Sequence, residues 1–84
     1  MKLIYFAWLR ERLGTNEEEV ELPAEVATIS DLLEWQKSRS EVFADVFEHS
    51  DIIQVAIDQK HSLDRRAALT GAKEIAMFPP MTGG

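Results

Sequence analysis

An α+β domain is what this sequence predicts: a mixed sheet with one main helix packed on one face. Three observations point there. Apolar runs or alternations typical of strands occur near both ends and in the middle of the chain. One stretch, Ile29, Leu32, Leu33 and Gln36, instead follows the i, i+3, i+4, i+7 spacing of a helix face. Eighty-four residues form one domain with a modest core, burying about 60–65% of the surface the unfolded chain exposes.

Taken in order, Lys2 to Ala7 is rich in β-formers and apolar on both alternating sets, Leu3/Tyr5 and Ile4/Phe6. That predicts a central strand covered on both faces. Trp8 to Leu13 reads as a short turn-like segment, helical at most, ended by Gly14 as a left-handed cap. Glu17 to Leu22 alternates, with Val20 and Leu22 inward and the glutamates outward, until Pro23 stops it. Thr28 is placed as a helix N-cap with Asp31 three residues on, so the main helix starts there and runs to about Lys37. Ser40 caps a second, short helix whose Phe43, Val46 and Phe47 share a face. Asp51 to Ile57 is the next strand, with Ile53, Val55 and Ile57 toward the core. Asp58 to Thr70 reads as polar and irregular, Gly71 as a turn, and Lys73 to Phe78 as the last strand. The first two strands make a hairpin and the helix crosses one face of the sheet, which is the β-grasp arrangement. The last strand is expected beside the first, at the sheet centre.

Composition narrows the function. A net charge of −6 argues against nucleic-acid binding, which depends on Lys and Arg neutralising phosphates. There are no cysteines, so disulfides, thiol nucleophiles and cysteine-ligated metals are excluded, and a reducing, cytoplasmic setting is expected. The apolar N-terminal run is too short for a signal peptide or a membrane span. His49 and His61 have no second histidine at ligand spacing, so no metal site is expected, and no phosphate-binding glycine loop occurs. Trp8, Trp35 and the Met77/Phe78 pair are candidates for a partner patch, with packing the better reading for Trp35. Arg10, Arg12, Lys60, Arg65, Arg66 and Lys73 form a weaker cationic set.

The ending Phe78-Pro79-Pro80-Met81-Thr82-Gly83-Gly84 is the most specific stretch. The prolines lack N–H groups and favour an extended exit, and the glycines leave the tip slim. The body is expected over residues 1–78, and the tail, 79–84, could reach roughly 20 Å at about 3.3–3.6 Å per residue. A frayed end is the bland alternative. The chemistry such a tip can do is that of its carboxylate. That group is a poor acyl donor until adenylation supplies a leaving group, after which a sulfur nucleophile can leave a thiocarboxylate.

These residues, with Glu74-Ile75-Ala76-Met77 before them, resemble the small, sulfur-carrier subunit of molybdopterin synthase, a ubiquitin-like β-grasp family. Tyr5 to Gly14 is similar to that family's first strand and turn, and Val55-Ala56-Ile57-Asp58-Gln59 to its third strand, where Asn often stands at the Asp58 position. The resemblance covers essentially the whole chain. It implies that Gly84 is adenylated by a ubiquitin-activating-type adenylyltransferase using ATP, then converted to a thiocarboxylate with sulfur from a sulfurtransferase persulfide. The tail would enter the large, catalytic subunit of the synthase and donate sulfur to cyclic pyranopterin monophosphate, commonly within a heterotetramer. Phe78, Pro79, Pro80, Met81, Thr82 and Gly83 would line the docking contacts, and Arg10 would pair with partner acids. No cofactor bound by the chain itself is implied. The turn Gly71-Ala72-Lys73-Glu74 departs from the acidic Gly-Asp-Glu usual there. A ubiquitin-like modifier conjugated through Gly84, or a carrier for another pathway such as thiamine synthesis, are the alternative readings.

Overall fold

Lys2–Tyr5 forms strand β1, and only one of its two apolar sets is buried: Leu3 and Tyr5 are sealed, whereas Ile4 is half-exposed. The computed structural model describes residues 1–80. In it the remaining elements are α1 (Ala7–Leu13), β2 (Glu17–Glu19), α2 (Ile29–Lys37), α3 (Glu41–Val46), a 3-10 turn (Ser50–Ile52), β3 (Gln54–Ile57), β4 (Lys60–Ser62) and β5 (Glu74–Phe78). The sheet order is β2-β1-β5-β3-β4, with β1 and β5 parallel and the other pairs antiparallel. Five mixed strands grasping a main helix make the ubiquitin-like β-grasp fold, with the last strand beside the first at the centre, as expected.

The expectation that β1 is covered on both faces fails for a plain reason. Buried residues of α1, α2 and α3 (Leu9, Leu32, Val46) join one cluster with Leu3, Tyr5, Val55, Ile75 and Met77, so all three helices lie on one side. Each such side chain gives roughly 1.5–3 kcal/mol relative to exposure. On the opposite face, with Ile4, Phe6, Ala56, Ala76 and Phe78, no helix or strand among the described residues forms a second layer.

The caps follow the sequence closely. Thr28 Oγ1 accepts from Asp31 N at 3.2 Å, and Asp31 Oδ2 accepts from Thr28 N at 3.1 Å, completing the capping box. Donation from Ala27 N, then from Thr28 N, holds the Asp31 carboxyl below its ordinary range. Ser40 caps α3 by accepting from Phe43 N. Gly14 ends α1 at φ 77°, so the supposed turn is a seven-residue helix with a left-handed cap.

Several boundaries move. β2 stops at Glu19, although Val20 N still donates to Met1 O at 2.9 Å. Glu18 is not outward: strict alternation places it with Val20 and Leu22, and it accepts from Tyr5 Oη at 3.0 Å. The third strand begins at Gln54, because Ser50–Ile52 winds into a 3-10 turn. The last begins at Glu74 rather than Lys73.

The stretch from Asp58 to Thr70 is not simply irregular. Asp58 and Gln59 take positive φ, 48° and 71°, turning the chain back so that β4 pairs with β3. Asp58 also reaches across, its Oδ1 accepting from both Lys73 N and Glu74 N at 2.9 Å. Farther on, Ile29 N donates to Ala67 O and Ser30 N to Arg65 O, which satisfies two N–H groups that the start of α2 leaves free. No helix among the described residues is long and apolar enough to cross a membrane.

Candidate functional site

The last described residues stand at the centre of the sheet. Along β5, Ile75 and Met77 point to the helices and are fully buried, whereas Glu74, Ala76 and Phe78 alternate onto the open face. Phe78 ends the strand opposite Gln54. Its ring lies 5.5 Å from that of His61 on β4, tilted by 56°, and His61 Nε2 is 2.9 Å from Gln54 Oε1. Pro79 and Pro80 follow, half-exposed, and with no N–H to donate they cannot extend the ladder. Met81, Thr82, Gly83 and Gly84, which carry the expected chemistry, lie outside the described residues.

Beneath this root is a closed polar ring. Gln36, fully buried, donates from Nε2 to Tyr5 Oη at 2.9 Å and faces Met77 Sδ at 3.7 Å. Tyr5 Oη donates to Glu18, Glu18 pairs with Arg39, and Arg39 donates to Gln36 Oε1 at 3.0 Å. The Arg39 guanidinium also lies 4.9 Å from the Trp35 ring and 4.1 Å from Phe43. Burial, reinforced by the Glu18 carboxylate, pushes the Tyr5 phenol well above its ordinary range, so it stays a neutral donor. Tyr5 and Met77 are register partners on the two parallel central strands, so the ring ties α2 and β2 to the base of the tail.

The connection leaving β1 reaches the same end of the sheet. Phe6 N donates to Met77 O at 3.1 Å, and the Phe6 side chain is 47% exposed on the open face. Ala7 then takes φ 54°, a left-handed conformation that costs an L-residue roughly 1–2 kcal/mol. That turn folds α1 back beside the root. Arg10 on α1 is exposed, and among the described residues no carboxylate lies within 4 Å of it.

The other candidates divide clearly. Trp35 packs against the core under Arg39, the reading preferred from its helix position. Arg12 sits 5.4 Å from the Trp8 ring and 3.7 Å from Asp45. Arg65 is turned inward, donating to the carbonyls of Ser50, Asp51 and Ile53, so it serves the fold. Among the described residues no three His, Cys, Asp or Glu side chains converge on a metal-binding position. Sequence reasoning missed His61 beside Phe78 because it missed β4; the Asp58-Gln59 turn was the available signal.

Against known proteins, the model of the ThiS family matches residues 3–84. The chain belongs to the ThiS family. This ThiS-family chain is 32% identical over 84 residues to the molybdopterin synthase sulfur carrier subunit of Escherichia coli strain K12, covering 100% of this chain and 99% of the relative. A Pyrococcus furiosus protein described as molybdopterin converting factor subunit 1 superposes with a TM-score of 0.66 at 25% identity, over 95% of each chain. SAMP1 from Haloferax volcanii superposes at 0.70 with 24% identity, over 99% of this chain and 97% of that one, a likeness of fold alone.

Proposed function

We propose that this chain is the sulfur-carrier subunit of a molybdopterin synthase. The observation that carries the reading is full-length similarity to such a subunit in a chain whose Phe78-Pro79-Pro80 root leaves the centre of the sheet. In this reading the Gly84 carboxylate attacks the α-phosphate of ATP on a ubiquitin-activating-type adenylyltransferase, releasing pyrophosphate. A persulfide sulfur from a sulfurtransferase then displaces AMP to give an acyl disulfide, and attack of a second thiol on the sulfurtransferase sulfur frees the thiocarboxylate and leaves a disulfide between the two thiols. On the large subunit that sulfur attacks cyclic pyranopterin monophosphate, and water then cleaves the acyl–sulfur bond and returns the Gly84 carboxylate; two such transfers supply the two sulfurs of the dithiolene of molybdopterin.

The chain's own residues bind and orient. Phe78 and Phe6 are the apolar anchors on the open face, aromatic groups of the kind that dominate interface energetics. Pro79 and Pro80 direct the thread outward, Met81, Thr82 and Gly83 line its passage, and Arg10 meets an acidic group of the partner. The large subunit supplies the catalytic side chains.

Intact-mass analysis after incubation with the activating enzyme, ATP and a sulfur source tests this reading. One oxygen should be replaced by sulfur, and deletion of Gly84 should abolish the shift without unfolding the body. An identical shift in the truncated chain refutes the proposal. Higher-mass lysine conjugates that require Gly84, without a thiocarboxylate, point instead to a protein modifier.

A further inference from the structure

The root of the tail has one titratable neighbour. Register places His61 opposite Ala56, and Ala56 opposite Ala76, so His61 stands on the open face with Phe78. Its ring is exposed and lies 5.5 Å from the half-buried Phe78 ring. Pro79 begins the thread directly after Phe78. A body that takes the thread down to its root therefore meets this imidazole in the same contact.

Gln54 fixes where the imidazole carries its proton. Gln54 Nε2 donates to Ile52 O at 3.4 Å, which leaves Oε1 to face β4. That oxygen can only accept, so at 2.9 Å it takes a hydrogen bond from His61 Nε2. The neutral ring is the Nε2–H tautomer, and Nδ1 is the nitrogen that gains a proton when the ring becomes charged. The bond to Gln54 survives in both states, so protonation changes the face without breaking the strand pair.

Nothing nearby compensates that charge. β3 presents Gln54 and Ala56 to the ring, and β5 presents Ala76 and Phe78, none of them ionisable. The acid farther along β5 on this face, Glu74, accepts from Gln59 Nε2 at 3.2 Å. Asp58, at the turn into β4, accepts from Lys73 N and Glu74 N. Lys60 alternates to the other face of β4, and Arg66 pairs with Asp64 beyond the strand. Among the described residues no carboxylate lies within 4 Å of His61.

We propose that His61 makes docking of the tail root selective for the neutral imidazole, so that a proton at Nδ1 opposes engagement. The proposal rests on the sulfur-carrier reading and takes the large synthase subunit as the receiving protein. The apolar root sets the sign. Withdrawing an unpaired imidazolium from water against Phe78 and the alanines costs free energy, whereas the neutral ring packs as an aromatic. Histidine ordinarily changes charge between about pH 5 and 8, so binding weakens as pH falls through that range.

The test is calorimetric titration of the full chain into the purified large subunit at about pH 7.5 and about pH 5.5. His61→Gln and His61→Lys are run beside the parent, with circular dichroism at both pH values to check folding. His61 is exposed on an edge strand, so neither substitution removes core packing. The parent's loss of affinity on acidification should exceed that of His61→Gln by at least about threefold, since groups elsewhere act on both alike. His61→Lys, charged throughout, should bind at least about threefold more weakly than His61→Gln at the higher pH. If His61→Lys does not fold, the comparison of parent with His61→Gln decides alone. Acidification losses of parent and His61→Gln that agree within about twofold overturn the proposal, as does parent binding that tightens relative to His61→Gln. Equal binding of folded His61→Lys and His61→Gln at the higher pH overturns it too. Nitrogen-resolved NMR of the free chain should find the neutral ring protonated at Nε2, and protonation at Nδ1 instead overturns the arrangement. These failures leave the carrier reading standing. No binding of the parent at either pH overturns that reading, and this proposal with it.

Discussion

Tyr5→Phe removes a single oxygen from the polar ring beneath the tail. That oxygen donates to Glu18 at 3.0 Å and accepts from Gln36 Nε2 at 2.9 Å. Glu18 keeps its Arg39 partner, so its loss is small. Gln36 fares worse: it is fully buried, and Nε2 is left with only Met77 Sδ at 3.7 Å. A stranded buried donor costs about 1–3 kcal/mol, so we expect a loss of about 2 kcal/mol. In a domain of this size that lowers the thermal midpoint by about 8–16 °C. Adding Gln36→Leu removes the stranded donor at nearly constant volume, while Arg39 retains Glu18 and two ring faces. The double variant should therefore lose at least about 1 kcal/mol less than the sum of the singles, a coupling typical of groups in one network. Urea titrations with unchanged slopes measure all three differences. Losses that add to within about 0.5 kcal/mol would refute the reasoning.

Three further outcomes follow from the same geometry. Asp58 accepts from Glu74 N and Lys73 N, and these bonds hold its carboxyl below its ordinary range. The associated stability is present above the unfolded-state value near 3.8 and is lost as pH falls through the lower folded value; an acid titration of Asp58→Asn should lack that component. Gly14→Ala meets no atom within 4 Å but forces a side chain into φ 77°, so urea unfolding should show a loss of about 1 kcal/mol, with no loss refuting the cap. Phe6→Ser, at a side chain 47% exposed, should leave stability within about 0.5 kcal/mol yet weaken binding to the large subunit; unaltered affinity would remove Phe6 from the contact face.

How much of this was legible depended on how local the cause was. The Thr28/Asp31 box, the Ser40 cap and the Gly14 stop act within four residues, and their residue types name their geometry. The first hairpin and the place of the last strand beside the first could be read too, because hydrophobic periodicity marks those strands and few connections are possible. What escaped was set by distant neighbours. Glu18 looked like one more solvated acid until Tyr5 and Arg39, 13 and 21 residues away, made it an internal one. β4 carries no apolar alternation; it exists because a two-residue turn aligns it with β3. At the site, the root from Phe78 to Pro80 was legible, whereas Phe6 and His61 reach it only through the sheet order.

The parallel pairing of β1 with β5 joins residues about seventy positions apart, with Lys2 opposite Glu74 and Tyr5 opposite Met77. Such contacts form only after most of the chain's entropy has been spent, and they are among the slowest to assemble. Phe6 and Phe78 share one end of the open face only once that pairing is complete. An unfolded chain carries the same last six residues but lacks that aromatic pair, so a partner that contacted both would engage the folded chain alone.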